Sequence, residues 1–250
     1  MTRRGLTLVE LLVGLLLLGV VAAGCAHWVL ATASVAHRAR ARAERGATLR
    51  TVGALVAREL GGVATDALVL AGDTLRYRAR RGHGPACELA PSHLTLVRAA
   101  YRGWRWPAAG RDSVRVPVDS AAWRALAIRA VREAPCPNGD GGLRLELAPA
   151  VGWLGVAGPR AVELVEWMEL RAYESGGSWW LGARTLRPTD VVQPVAGPLA
   201  PRGFRPRLVA RAPGDTALAV VLRPASVAGP HPLPDETLEV VVGLACGAAC

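Results

Sequence analysis

Apolar residues are concentrated near the start of the chain. From Leu11 to Ala26 every residue is apolar or Gly, and between Leu6 and Ala36 the one formal charge is Glu10. A helix over 6–36 would be about 46 Å long at ~1.5 Å per residue, which exceeds the ~30 Å hydrocarbon core of a bilayer. The pattern therefore predicts a transmembrane helical segment at 6–36.

After residue 36 the apolar residues fall on one side of a helix. They recur at intervals of three and four residues with charged residues between them: Leu49, Val52, Val56 and Leu60. This spacing is typical of an amphipathic helix, and the following Gly61-Gly62 is a typical helix end. We therefore expect one helix over 6–61, with a membrane-spanning first half and an amphipathic second half.

From residue 62 onward the pattern changes to short β-type runs separated by Gly, Pro and Asp turns. Two hairpins are predicted, at Ala71-Gly72-Asp73 and at Glu174-Ser175-Gly176-Gly177-Ser178. The predicted strands are 67–70, 74–80, 94–101, 113–118, 143–147, 161–173, 179–186, 207–211, 217–223 and 236–244. The segment 122–133 fits a helix or a strand, and the Pro-rich tracts 187–206 and 224–234 predict loops. The fold class is α+β, a long helix packed on a mostly antiparallel β head at 62–250.

The net charge of +10 comes from 30 basic residues, all of them Arg, against 20 acidic ones. Residues 1–60 carry eight Arg against three Glu, while the head carries 22 Arg against 17 acids. The head is therefore close to electrical balance for its size. The charge favours contact of the segment 38–50 with lipid headgroups or neighbouring subunits, and it argues against a nucleic-acid partner.

Three kinds of N-terminal segment fit the apolar run. A cleaved secretory signal is disfavoured because Glu10 interrupts the pattern and the run extends past any cleavage site. A second alternative is a lipoprotein anchored at Cys25 with a periplasmic binding head, since Ala22-Ala23-Gly24-Cys25 is close to a lipobox. An isolated membrane anchor is the third.

The residues Arg4-Gly5-Leu6-Thr7-Leu8-Val9-Glu10, with the apolar run after them, favour a more specific interpretation. This segment resembles the class III signal of type IV prepilins and type II secretion pseudopilins. The resemblance implies that a prepilin peptidase cuts after Gly5, leaving 1–5 as a leader peptide, and methylates the new amine of Leu6. It also implies that Glu10 pairs with the N-terminal amine of a neighbouring subunit during assembly. A carboxylate among apolar residues is costly unless paired, which gives that role a physical basis.

The same resemblance implies the fold, partners and location of the protein. The fold would be pilin-like, and the function would be structural, as a minor pilin or a minor pseudopilin, because the head is large. The implied partners are prepilin peptidase, other pilin or pseudopilin subunits, an inner-membrane assembly platform and membrane lipid. The protein would be single-pass in the inner membrane with its head in the periplasm, and then part of a periplasmic or cell-surface filament. A DNA-binding competence pilin is a further alternative.

Four of the five cysteines lie in the head: Cys87, Cys136, Cys246 and Cys250. An even number in an exported head suggests two disulfides, and of the three possible pairings we expect Cys87–Cys136 and Cys246–Cys250. Cys25 is interpreted as a small apolar residue of the helix.

Nothing in the sequence indicates catalysis. Common nucleophile, phosphate-loop and metalloprotease motifs are missing, and the cysteines and histidines lack zinc-site spacing. We therefore expect no enzymatic activity, no cofactor and no metal. Alternation along a strand would place Trp104 and Trp106 on one face, which we interpret as a core or subunit contact and not as a stacking surface for a ligand.

Overall fold

The computed structural model describes residues 8–117, 123–148, 160–187, 189–212, 215–225 and 237–244. Contacts divide these residues into two units, of which the first contains 8–48 and the second begins at Leu49. The single long helix contributes residues to both units, and all strands belong to the second.

Helix α1 extends over Leu8–Leu60 and contains no proline. It ends where the sequence predicts. The Gly61 N–H donates to the Ala57 carbonyl at 2.9 Å, and Gly62 has a φ of +76°. This left-handed conformation is accessible to glycine without steric cost and is a common way to end a helix.

The described part of the second unit contains twelve strands, and every pairing among them is antiparallel. Their bounds are β1 Leu68–Ala71, β2 Thr74–Ala90, β3 His93–Val97, β4 Arg102–Gly103, β5 Ser113–Pro117, β6 Trp123–Pro135, β7 Gly141–Ala148, β8 Arg160–Ser175, β9 Ser178–Thr185, β10 Gln193–Ala212, β11 Asp215–Pro224 and β12 Leu238–Gly243. Two 3-10 turns lie at Thr65–Ala67 and Arg98–Ala100. The predicted α+β class is confirmed.

One part of the sheet packs on the helix. Its strands follow the order β1-β2-β8-β9-β10-β11-β12. Four residues of α1 lie in its core: Leu49, Val52, Val56 and Leu60. They pack there with buried side chains of the sheet, among them Leu75, Tyr77, Leu181, Phe204 and Leu218. The amphipathic pattern of 49–60 is therefore explained by burial of one helix face against the sheet.

The other part of the sheet closes on itself. Strands pair in the order β2-β3-β7-β6-β5-β8, and β8 pairs again with β2. Strands β5, β6 and β7 form a meander and β8 returns to lie beside β5, which is a Greek-key arrangement. The buried apolar residues of this six-stranded ring form a second core, which includes Leu94, Leu96, Val114, Ile128, Leu145 and Leu164. Strands β2 and β8 are long enough to belong both to the part of the sheet that packs on α1 and to the six-stranded ring.

Two predictions on the head need correction or completion. The Pro-rich tract 187–206 is not a loop throughout, because β10 begins at Gln193. Its prolines cannot donate ladder hydrogen bonds, and its register accordingly shifts between Pro194 and Ala196 and between Leu199 and Phe204. The ambiguous segment 122–133 is a strand where it is described, within β6. Residues 226–234 of the second Pro-rich tract lie outside the described residues.

Candidate functional site

The first unit presents an apolar helix surface. Residues 8–36 of α1 are all exposed, and an 18-residue window of the helix reaches a mean hydropathy of 2.5. By length and composition this helix is able to cross a membrane. The hydroxyls of its polar residues are bonded within the helix: Thr32 donates to the carbonyls of Trp28 and Val29, and Ser34 donates to that of Ala31. Hydroxyls bonded in this way need no water.

The N-terminal residues of predicted function are described in part. Glu10 lies in the first turn of α1 as described, and its side chain is exposed. Gly5 and Leu6 lie outside the described residues. The carboxylate at the start of a helix is favoured by the helix dipole, which carries partial positive charge at that end.

The cysteines are divided between the two units. Cys87 and Cys136 form a disulfide, the first of the two expected pairings. Cys246 and Cys250, the second expected pair, lie outside the described residues. Cys25 is a free thiol and is exposed on α1, so its interpretation as an apolar residue of the helix depends on what surrounds that helix.

A buried carboxylate, Glu166, is the centre of an ion-pair network in the head. Its side chain is 2% exposed and contacts three guanidinium groups. Arg81 Nε lies 3.0 Å and Arg105 Nη2 3.2 Å from Glu166 Oε2, while Arg111 Nε donates to Oε1. Burial alone would raise the pKa of Glu166, but the hydrogen bonds from Arg111 and Arg81 outweigh it and hold the pKa below its ordinary range.

The network extends to the helix and to the loop after β4. Arg81 Nη1 donates to Glu59 Oε2 of α1 at 3.2 Å. Arg105 binds Asp112 through both terminal nitrogens, at 2.6 and 2.7 Å, and these hydrogen bonds raise the pKa of Arg105. Glu59, Asp112 and Glu166 balance the three arginines in charge. The arrangement therefore joins α1, β2 and β8 to this loop, and it does not leave a carboxylate poised for acid–base catalysis.

The sequence interpretation of the two tryptophans is wrong in its structural premise. Trp104 lies in a bend after β4 and Trp106 follows it outside any strand, and they are 70% and 51% exposed. Trp106 stacks on Tyr101 with ring centroids 5.2 Å apart, and Trp104 lies beneath the Arg58 guanidinium at 5.1 Å. Neither indole is a core residue, because the chain between β4 and β5 runs over the surface.

Trp104 lines three cavities among the described residues, and two of these are also lined by residues of α1. The larger, about 520 Å³, lies between α1 and the sheet and combines apolar side chains such as Val56 and Met168 with the Glu166 network. The smaller, about 280 Å³, is lined by six charged side chains together with Trp104 and small apolar residues. In the described ranges no group of three or more His, Cys, Asp or Glu side chains is placed to hold a metal ion.

The Glu166 network was not predicted from the sequence. The available signal was three glutamates, Glu163, Glu166 and Glu169, that recur at every third position among the apolar residues of the predicted strand 161–173. Charged residues at such positions are rarely fully buried unless paired. Nothing local to β8 indicates that the partners come from β2 and the loop after β4.

Comparison with known proteins adds evidence at the N-terminus. Residues 1–26 match the family model of the prokaryotic N-terminal methylation motif. No curated protein and no solved structure matched the chain. The motif implies processing by prepilin peptidase and assembly with other pilins, and the apolar helix is consistent with a membrane-anchored pilin. In this motif, and in its one long N-terminal helix followed by an antiparallel β head, the chain is similar to type IV prepilins.

Proposed function

We propose that the protein is a minor pilin or minor pseudopilin, a structural subunit of a type IV pilus or a type II secretion filament. Prepilin peptidase cuts it after Gly5 and methylates Leu6. The observation that carries this proposal is the match of residues 1–26 to the methylation motif. The unbroken helix that follows, apolar on all sides over 8–36, supports it, because such a helix needs an apolar environment in the membrane and later in the filament.

In this proposal Glu10 guides assembly by pairing with the amine of Leu6 on a neighbouring subunit. Glu10 is exposed in the first described turn of α1, which supports a contact with another chain. An ion pair formed among apolar helices is screened little by water, so one such pair discriminates strongly between correct and shifted alignments of two subunits.

The proposed organisation is a leader at 1–5, an anchor helix at 6–61 with its membrane segment at 6–36, and a head at 62–250. The head faces the periplasm while the helix is stored in the inner membrane. The second core formed by the six-stranded ring supports a minor role, because it enlarges the head beyond the sheet that packs on α1.

Mass spectrometry of the mature N-terminus tests the processing step. The full chain is produced with a prepilin peptidase, and the expected N-terminal peptide begins at methylated Leu6. The variant Gly5→Val is expected to keep residues 1–5, whereas the matched control Gly14→Ala is processed normally. A mature chain that begins at a diacylglyceryl Cys25 would refute the proposal in favour of the lipoprotein alternative.

Incorporation into the filament tests the role of Glu10. We expect Glu10→Gln to be cut and methylated as the parent is, but to lose most of its co-purification with other pilin subunits. Glu10→Asp keeps the charge and is expected to retain part of it. Equal co-purification of the parent and Glu10→Gln would show that this carboxylate has no role in assembly.

A further inference from the structure

The smaller cavity beside Trp104 is lined by an excess of positive charge. Its volume is about 280 Å³, and four arginines line it: Arg58 of α1, Arg78 and Arg80 of β2, and Arg115 of β5. The carboxylates in the lining are Glu59 and Glu163. All of these residues belong to the second unit.

Both carboxylates already have guanidinium partners. Glu163 lies 3.0 Å from Arg115 and 3.6 Å from Arg80, and Glu59 lies 3.2 Å from Arg81 of the Glu166 network. Among the described residues, no carboxylate forms an ion pair with Arg58 or Arg78. Two guanidinium groups at one cavity therefore have no carboxylate oxygen within 4.0 Å among the described residues.

Tryptophan rings hold these two arginines in place. The Arg58 guanidinium lies 5.1 Å from the centre of the Trp104 ring, and that of Arg78 lies 4.8 Å from Trp167. A cation–π contact positions a guanidinium without using its N–H groups as hydrogen-bond donors. The donors of both groups thus stay available for an oxygen-rich anion, which arginine binds with two parallel hydrogen bonds.

The environment of Arg78 favours an added negative charge. Arg78 is half-buried, and burial lowers its pKa, while Asp66 acts in the opposite direction and Arg115 adds to the lowering. A bound anion would offset this loss of hydration for Arg78 and relieve its repulsion with Arg115.

We propose that this cavity is a binding site for a phosphate group, held chiefly by Arg58 and Arg78, with Arg80 and Arg115 at its side. Four arginines against two carboxylates leave an excess of two positive charges in the lining, which matches a phosphate that carries −1.5 to −2 near neutral pH. The site takes a free phosphate or the phosphate of a small ester such as a lipid headgroup. It is separate from the processing and assembly functions of the N-terminus.

Titration of the full-length protein in an uncharged detergent tests the proposal. Inorganic phosphate and glycerol 3-phosphate are the two ligands, and intrinsic tryptophan fluorescence and calorimetry are the measurements. We expect saturable binding with one site per chain. Similar affinity for both ligands indicates a site for free phosphate, and tighter binding of glycerol 3-phosphate indicates an esterified one.

Substitutions locate the site. Arg78→Gln and Arg58→Gln are each expected to weaken binding about tenfold or more, because each removes a bidentate donor. Arg58 is exposed, so its variant is expected to keep the parental melting temperature even if Arg78→Gln does not. The matched control Arg132→Gln removes an exposed arginine paired with Glu146 and is expected to leave the affinity unchanged.

Three results would overturn the proposal. They are the absence of saturable binding to either ligand, equal binding by the parent and the Arg58 and Arg78 variants, and equal loss in Arg132→Gln. Tight binding of duplex DNA without binding of either phosphate ligand would also overturn it, because that result points to an extended contact with a phosphodiester backbone.

Discussion

The two ends of helix α1 contain similar apolar residues but place them in different surroundings. In 8–36 large apolar side chains are exposed, as for Val20 at 64%, whereas in 49–60 the side chain of Val56 is 1% exposed. The second segment is apolar on one face, which the sheet covers, while the first is apolar on all sides. A helix of the first kind needs an apolar environment that its own chain does not provide within the described residues. The head thus buries only the second segment of α1, and the first segment has the length and composition to cross a membrane.

The glutamates and cysteines of the two units also differ in their surroundings. Glu166 in the head contacts three arginines of its own chain, while Glu10 is exposed in the apolar segment. Cys136 in the head is disulfide-bonded, while Cys25 in the helix is a free thiol. If the two units serve different environments, identical substitutions in them should change different measured properties.

The largest difference is expected for a valine-to-aspartate substitution in each unit. Val56→Asp places an unpaired charge in the core under the sheet, and we expect a loss of at least about 4 kcal/mol in the free energy of unfolding, enough to unfold the head. Val20→Asp is expected to leave the melting temperature of the head unchanged and to impair membrane insertion by about 3 kcal/mol. Circular dichroism and membrane fractionation measure the two effects. Unfolding of the head by Val20→Asp would contradict the division.

The disulfide provides the second comparison. Replacing Cys87 and Cys136 together by Ala opens a cross-link between residues 49 positions apart, and we expect the unfolding free energy to fall by about 4 kcal/mol from chain entropy. Cys25→Ala is expected to leave the unfolding curve of the head unchanged. Denaturant unfolding of the full chain under non-reducing conditions measures both. A double variant as stable as its parent would show that the cross-link does not constrain the unfolded head.

A carboxylate-to-amide substitution provides the third comparison. Glu166→Gln leaves Arg81, Arg105 and Arg111 without their shared counter-charge, and we expect a loss of about 3 kcal/mol in the unfolding free energy. The same change at Glu10 is expected to leave the head as stable as before. Denaturant unfolding measures both variants. Equal stability of the parent and Glu166→Gln would show that water substitutes for this carboxylate.

The pH dependence of stability, compared between the parent and Glu166→Gln, tests the role of Glu166 further. The pKa of Glu166 is lowered in the folded head, so its contribution to stability is fully present above the ordinary pKa of 4.5 and is lost as the pH falls through the lower folded value. Glu169 behaves similarly, because the hydrogen bonds from Arg184 and Arg76 outweigh the effect of burial and lower its pKa. The parent should therefore lose stability below about pH 4.5 more steeply than Glu166→Gln. An equal loss of stability with falling pH in the parent and in Glu166→Gln would contradict the lowered pKa of Glu166.

What the sequence predicts best is local. The end of α1 at Gly61-Gly62 and the hairpin between β8 and β9 depend on glycines whose φ is positive, and the residue types alone indicate them. The long apolar segment is predicted for the same reason, since its signal lies within a few turns of helix.

Features that depend on distant parts of the chain were missed. Closure of the ring requires Arg80 to pair with Val165, and no local pattern fixes that register. The same holds for Glu166, whose arginine partners lie 55 to 85 positions away in the sequence. The first part of β10, at 193–206, was missed because its prolines oppose strand formation locally, and its pairing with β9 and β11 compensates for them.

The smallest expected difference comes from adding one methyl group to a glycine in each unit. Gly177 has a φ of +72° in the two-residue turn between β8 and β9, so Gly177→Ala is expected to lower the unfolding free energy of the head by about 1 kcal/mol. Gly19 lies within α1, and a Cβ there would meet no atom within 4 Å. Gly19→Ala should therefore favour the helix, since alanine is the better helix former by about 1 kcal/mol, without changing the stability of the head. Thermal unfolding of both variants in uncharged detergent measures the effects. A loss of head stability in Gly19→Ala would mean that the two units unfold together. The added methyl group would then change the stability of a core that Gly19 does not contact.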